Sequence, residues 1–428
     1  MRSITSILSI VLCLVLLGCG PTPTTTPTAT PTATVIASPT APTIPPTPTL
    51  DPNLVRVWLP RVFAPGANTL GGLVLADQLA SFQSTHPGIV LDVRLKQMSG
   101  PGGLYTALTA AYNAAPATLP HLIALSHDDM ATAYRAGLLL PLDSALEDET
   151  LADYFPFAQT LSRVDEALVC LPFAIDARVL AYSTEIYSSP PLTWAEVITG
   201  PLILPAAETS GLTLLETYLA LGGSLASPSG QLGLEADTLA EALAYYQAMQ
   251  AVEVLPLSTL TYTDPEATWQ VFRERRATLA VTSAQWYLAE HERASNTAVS
   301  FLPTRVGDPY ALASGWCWAL VATSATPEQQ SLAAELLRWL NAPEQLGAWS
   351  LAANVLPPRA EALQQGGWSS LSYTRFAETI LENAQAQPAA EVLARLGLPL
   401  RQALEDVLSG QATPLEAATT AAQSLANP

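Results

Sequence analysis

EALVCLPFAIDARVLAYSTEIYSSPPLTW, residues 166–194, is the stretch on which the arrangement of the whole chain turns. It starts as a strand-like apolar run over residues 167–171, is interrupted at Pro172, resumes over residues 173–182 and ends in a turn before Thr193 and Trp194. Proline lacks an N–H and fixes its own φ, so it suits a bend or a strand start better than the centre of a ladder. The segment therefore reads as a hinge that passes from one domain into another. Residues 168–172 are expected in the first domain, 173–176 in the hinge and 179–187 in the second.

Upstream, residues 54–59 (LVRVWL) have the β-branched and aromatic content of a strand. Leu75, Leu79 and Phe82 recur at helical spacing before Pro87-Gly88, and residues 89–96 alternate apolar and polar side chains with a strand's period of two. Strand, helix, strand is a βαβ unit. The loop at residues 99–103 (SGPGG) lacks the lysine and hydroxyl of a phosphate cradle and reads as a turn. Leu104, Leu108, Ala111 and Tyr112 share a helix face, residues 120–125 form a third strand, and residues 126–129 offer caps for a helix that ends at Gly137.

Downstream the pattern repeats in kind. Residues 202–204 form a short strand; Leu212, Leu215 and Leu219, then Leu239, Leu243 and Tyr246, mark two helices. A helix over 269–276 feeds a strand over 279–282, which stops at Ser283-Ala284-Gln285-Trp286. Residues 311–321 are a second long apolar run, followed by a helix over 327–340, a third crossing at 353–358 and helices near 373–384, 393–408 and 415–425.

The chain has 428 residues, 49% of them hydrophobic, enough for two or three domains with sizeable cores. Its formal net charge is -19 and its one lysine is Lys96, a field that repels a phosphate backbone and excludes nucleic acid as a partner. Arg2 and an apolar run over residues 4–18 have the order of an export signal, too short for a full membrane span. The run ends in Leu16-Leu17-Gly18-Cys19, which resembles the lipobox of bacterial lipoproteins and implies that Cys19 carries the lipid. Residues 20–53 are almost wholly Pro, Thr, Ala and Ser, a tether that spans up to roughly 100 Å when extended at about 3.1 Å per residue. Of four cysteines, Cys13 lies in the signal; Cys170 and Cys317 are left as either a disulfide or two buried thiols.

The order of FQSTHPGIVLDV (82–93), PHLIALSHDDMATAYRAGLLLPLD (120–143), LPFAID (171–176), AYSTEIY (181–187) and PLTWAEV (191–197) resembles the extracellular solute-binding proteins of ABC transporters, in their sugar-binding, maltose-binding-protein-like group. FRERRATLAVTSAQW (272–286), ASGWCWALVATSATPEQQSLAAELLRWL (313–340) and ANVLPPRAEAL (353–363) extend the resemblance over nearly all of the chain after the tether. It implies an α/β, two-lobed, periplasmic-binding-protein-like fold. Each lobe would be a mostly parallel sheet flanked by helices, one of residues 54–175 plus 317–355, the other of 176–316 plus 356–428, joined by a hinge of about three crossings. It also implies a monomer on the outer side of the membrane, held there by the lipid alone, that passes a carbohydrate to permease subunits without catalysis, cofactor or metal. The chain departs from the family pattern at Pro120-His121, where Pro-Asp is usual, at Ser183 for Asn, and at Asp165-Glu166-Ala167 for Asp-Gly-Lys.

A sugar site needs flat aromatic faces for the ring's C–H side and planar polar groups for its hydroxyls. Trp286 and Trp316, at strand ends, are the candidate platforms, although in a chain with nine tryptophans each also fits a core position; Trp58, Trp339 and Trp349 fit the core better. Asp128, which competes with an N-cap role, and Asp176, just past the hinge proline, are the candidate carboxylates. Arg61, Glu208 and Ser283 come from loops pointing the same way, with surface salt bridging the alternative for Arg61 and Glu208. No HExxH, GxSxG, CxxC or Walker pattern occurs, and His86, His121, His127 and His291 lack metal-ligand spacing. Glu290-His291-Glu292 reads as a solvated helix face. The alternatives are a solute-binding protein for a non-sugar ligand and a surface glycoside hydrolase built on Asp128 and Asp176.

Overall fold

Alternation along the first strand shows how the layers form. In β1 (Leu54–Pro60), Val55, Val57 and Leu59 face one core and Trp58 faces another on the opposite side. β1 lies between β2 (Val90–Lys96) and β3 (Leu122–Ser126), parallel to both, and α1 (Leu70–Thr85) and α2 (Leu104–Ala114) make the connections. This is the expected βαβ unit. Thr69 starts α1 by accepting the Gly72 amide at 3.1 Å, and the glycine-rich loop before α2 is a turn closed by Gln97 and Gly103 backbone bonds. α3 (His127–Arg135) follows β3 without a linker. The computed structural model describes residues 51–143, 146, 151–197, 199–226, 230–323, 325–371 and 373–426; Cys19 and residues 20–50 lie outside them.

α4 (Pro156–Leu161) and a hairpin, β4 (Arg163–Val164) with β5 (Ala167–Leu168), lead into β6 (Leu171–Ser183). Asp165 and Glu166 form the hairpin turn at φ 49° and 69°, the left-handed pair that such turns require. Beyond β6 come β7 (Leu202–Ile203), α5 (Leu212–Ala220), α6 (Ala236–Ala251), α7 (Pro265–Arg273), β8 (Leu279–Ser283), α8 (Ala284–Glu290) and β9 (Thr297–Ser300). The last part comprises β10 (Ala311–Leu320), α9 (Pro327–Leu340), α10 (Pro343–Ala352), α11 (Thr374–Asn383), β11 (Ala384–Ala386), α12 (Ala390–Leu408) and α13 (Pro414–Ala426).

Pro172 does not interrupt its strand. β6 runs unbroken for 13 residues with Pro172 second, paired with Cys317 of β10, because a strand start tolerates a missing donor. Its first half pairs with β10 and its second half with β8 and β9, all antiparallel. One nine-stranded sheet results, in the order β2-β1-β3-β10-β6-β8-β7, with β9 on β6 and β11 on β10. The expected mostly parallel sheets are thus corrected to a mixed one. Parallel pairing holds at β1 with β2 and β3, at β7 with β8 and at β10 with β11, while β6 and β10 run against each other and against strands of both halves.

The two faces of this sheet are organised differently. One face carries a large apolar cluster that spans both halves, from Val57 and Leu59 through Phe173 and Trp318 to Val179, Ala181 and Ala280, with a small separate one of Ile203, Val271 and Ala277 at the β7 end. The opposite face is split in two. Trp58, Leu104, Ile123 and Leu125 pack together at the first end, and Leu180, Tyr182, Leu215, Leu243, Leu396 and Leu404 at the second. Trp58 and Trp349 belong to the core as expected, and Trp339 is half-buried against it. Within the expected third crossing, Leu356 bridges to β6, where it and Ile175 exchange both backbone hydrogen bonds at 2.9 Å.

Cys170 and Cys317 are two free, buried thiols in the Trp58 cluster, which settles the open pairing; burial keeps the Cys170 thiol well above its ordinary range. His121, where the family carries Asp, accepts the Arg56 amide on Nδ1 at 2.9 Å, and burial lowers its pKa to about 4, so the ring is a neutral acceptor at physiological pH.

Candidate ligand-binding site

Three strand ends and the middles of two long strands meet where the two halves of the sheet join. Trp316 of β10 sits in register with Ser126, the last residue of β3, and with Ala174 of β6; Ser314 is opposite Asp176 and Ser283 opposite Arg178. Phe63, in the short helical turn Arg61–Phe63 after β1, sets its ring edge-on against Trp316 with centroids 5.6 Å apart. The residues that follow β1, β3 and β8 are thereby drawn to one edge. This is the carboxyl end of the parallel strands, the usual place for a ligand in such sheets.

Asp176 links the halves. Its Oδ1 accepts the Ala177 amide and the Gln285 amide, each at 3.0 Å, so a carboxylate on β6 caps the first turn of α8 from outside that helix. Burial is the largest influence on this carboxyl and raises its pKa, offset in part by those amides and by the Ser283 hydroxyl. Ser283 is itself buried against Asp176 and presents little surface. One residue beyond Gln285, Trp286 lies half-buried on the edge of the cluster that spans both halves, and Trp316 lies half-buried between that cluster and the Trp58 cluster. Each indole therefore keeps part of its surface open.

Asp128 is exposed at the second position of α3. The N-cap position belongs to Ser126, so the capping alternative for Asp128 falls away and its carboxylate takes no hydrogen bond among the described residues. Arg61 is likewise exposed with no ion pair among them. Glu208 faces inward instead. Only 6% exposed, it accepts from Arg178 at 3.0 Å on one oxygen and from Thr213 on the other, so both oxygens are committed and neither surface pairing nor ligand contact describes it. Glu290 is also no solvated residue: it pairs with Arg273 and accepts from the Trp269 indole at 3.2 Å.

Other side chains belong to this edge that the sequence did not single out. His127 and Asp129 flank Asp128, and burial lowers the first pKa and raises the second. Their adjacency in SHDDM was the available signal, and Gln285 lay beside Trp286 in the same way. No cluster of His, Cys, Asp and Glu suited to a metal ion occurs among the described residues, and no helix among them is long and apolar enough to cross a membrane. The edge offers half-open indoles and unengaged charged groups, the means to stack on an apolar ring face and to bind hydroxyls.

A family profile described as "Bacterial extracellular solute-binding protein" matches residues 77–373. A probable ABC transporter-binding protein of Deinococcus radiodurans is 26% identical over 288 residues, 59% of this chain and 66% of that protein, just under two thirds of its length. Among solved structures, the cyclic alpha-maltosyl-1,6-maltose binding protein of Arthrobacter globiformis superposes with a TM-score of 0.70 at 18% identity, covering 88% of this chain and 98% of its own. The sugar-binding protein MalE of Xanthomonas citri gives 0.69 at 20%, covering 87% and 97%. These structures share the two-lobed α/β fold.

Proposed function

The chain belongs to the bacterial extracellular solute-binding proteins, and from that premise we propose that it captures a sugar or oligosaccharide by contact alone and delivers it to an ABC transporter permease. The observation that carries this reading is the convergence of half-buried Trp286 and Trp316 on β6, one beside Ala174 and the other one residue from the Asp176-bound Gln285. Indole faces stack on the C–H side of a pyranose, while exposed Asp128 accepts from its hydroxyls and Arg61 donates to them. Asp176 and Ser283 hold α8 in place, and Asp176 brings its remaining oxygen to the ligand. The sugar-binding functions in the names of the solved relatives support the same ligand class.

We assign residues 54–175 with 317–355 to one lobe and 176–316 with 356–428 to the other, with β6, β10 and the Leu356 bridge as the hinge. A ligand touching both lobes shifts the hinge toward a closed state, which the permease recognises. In this reading Cys19 carries the lipid, residues 20–53 stand the monomer off the outer membrane face, and no bond is made or broken. A thermal-shift panel of mono-, di- and oligosaccharides tests the ligand class, because a ligand that binds only the folded chain raises its midpoint. No shift with any of them rejects it. For the best ligand, Trp286→Ala is expected to weaken calorimetric affinity at least about tenfold, a loss of roughly 1.4 kcal/mol, with the unliganded midpoint within a few degrees. Unchanged affinity removes Trp286 from the site.

A further inference from the structure

We propose that the far face of the second lobe carries a separate site for a phosphomonoester. A cavity of about 400 Å³ opens where β6 ends and β8 and β9 begin, lined by Arg273, Arg275, Arg293, Ser183, Ser295 and a single carboxylate, Glu185, among others. It lies at the start of β8, whose other end is Ser283; those five residues put it roughly 17 Å from the sugar-binding edge.

Three arginines against one carboxylate reverse the balance of a chain with 18 basic and 37 acidic side chains. Of the neighbouring acids, Glu290 is engaged with Arg273 and Glu274 with Arg276 at 3.0 Å, while Glu292 beside Arg293 is exposed and does not line the cavity. Glu185 reaches Arg275 only at 3.6 Å and also accepts from Asn296. Arg293 has no ion pair or hydrogen bond among the described residues, so with Arg273 on Glu290 and Arg275 loosely on Glu185 it leaves one positive charge uncompensated at the cavity.

The backbone supplies an independent observation. Arg275 has φ 57°, and its amide bonds to the Phe272 carbonyl at 2.9 Å while the Arg276 amide bonds to Val271 at 3.1 Å. That is the closing motif of α7, and its left-handed position favours glycine because a Cβ there costs about 1 kcal/mol. An arginine occupies it instead, its side chain 74% exposed. Strained positions of this kind cluster at functional sites, and this one sets the Arg275 side chain at the cavity. A planar guanidinium fork matches a tetrahedral oxyanion on two bonds, and the Ser183 and Ser295 hydroxyls are neutral donors beside it. The volume exceeds a bare phosphate, and Ile186 and Phe272 give an apolar wall for the organic part of an ester.

Calorimetry on the full chain at constant ionic strength, with glycerol phosphate, inorganic phosphate and a chloride control, tests the assignment. The expected result is one saturable site per chain, tighter for the ester than for inorganic phosphate, and weakened at least about tenfold by Arg293→Gln and by Arg275→Gly. Arg275→Gly relieves the left-handed strain, so its unliganded thermal midpoint stays level or rises, which separates lost binding from lost folding. Sugar affinity is expected to remain at the wild-type level in both variants. Heats that follow ionic strength alone, or that match wild type in both variants, overturn the proposal. So does binding to phosphatidic acid vesicles without binding to the soluble ester.

Discussion

A methyl group added to Gly315 would lie 2.0 Å from the carbonyl oxygen of Ala174. Gly315 sits between the Ser314 and Asp176 pairing and a register shift at Trp316 and Cys317, where the two long strands cross the middle of the molecule with their backbones in contact. Gly315→Ala must push them apart, and a loss of about 1–3 kcal/mol is expected as a lower urea midpoint; a midpoint equal to wild type would show that the strands yield freely. Single residues also mark where sequence reasoning stops. Asp176 was legible as a polar group at the crossing, but its grip on the Gln285 amide depends on a partner 109 positions away. Glu208 read as a loop carboxylate facing water because nothing in its own segment announces Arg178, which buries it.

At the scale of elements, the start of α5 is tied to both crossing strands by charge. Arg178 of β6 pairs with Glu208 and with Glu216 of α5, each at 3.0 Å, and Glu216 also accepts the Leu312 amide of β10 at 3.0 Å. Two buried carboxylates share one guanidinium. Burial is the chief cause that pushes the Glu216 pKa up from 4.5 to about 7. The folded chain therefore holds a proton that the unfolded chain releases between those values, so this contribution is full below about pH 4.5 and fades as pH rises through 7. Glu216→Gln keeps an acceptor for Leu312 and removes the titration. Relative to wild type, the variant is expected to gain on the order of 1–3 kcal/mol between pH 5 and 8. Denaturant curves that stay parallel across that range would refute the assignment. Helix and strand positions themselves were largely legible: the expected helices near residues 373–384, 393–408 and 415–425 became α11, α12 and α13 within a few positions. Pro172 misled because position within a strand, rather than the presence of proline, decides whether a ladder breaks.

At the scale of the molecule, one face of the sheet has a large core that spans both halves and the other has two separate ones, and the expectation for cooperativity follows from that asymmetry. The shared cluster couples the halves, so the unliganded chain is expected to unfold in urea in a single transition by both tryptophan fluorescence and circular dichroism. Two separated transitions would mean that the split face governs. The same architecture leaves only the backbones of β6, β10 and the Leu356 bridge, with the packing on the shared face, to resist bending between halves whose other cores are separate.

The sequence alone determined the alternation of strands and helices, the acidic surface, the long crossing segment and the family resemblance, because periodicity, composition and motif order are local properties. Only the tertiary structure decided that Pro172 lies inside a continuous strand and that the sheet is mixed. It also decided that Cys170 and Cys317 lie buried as unbonded thiols, that Glu208 is spent on Arg178, and that three arginines from α7 and the turns near β9 face one cavity. Each of these depends on which distant backbone or charge arrives beside a residue, and no spacing along the chain encodes that. For residues 166–194 the local pattern predicted a passage between domains; pairing with β10 on one half and β8 on the other is what made it a single strand.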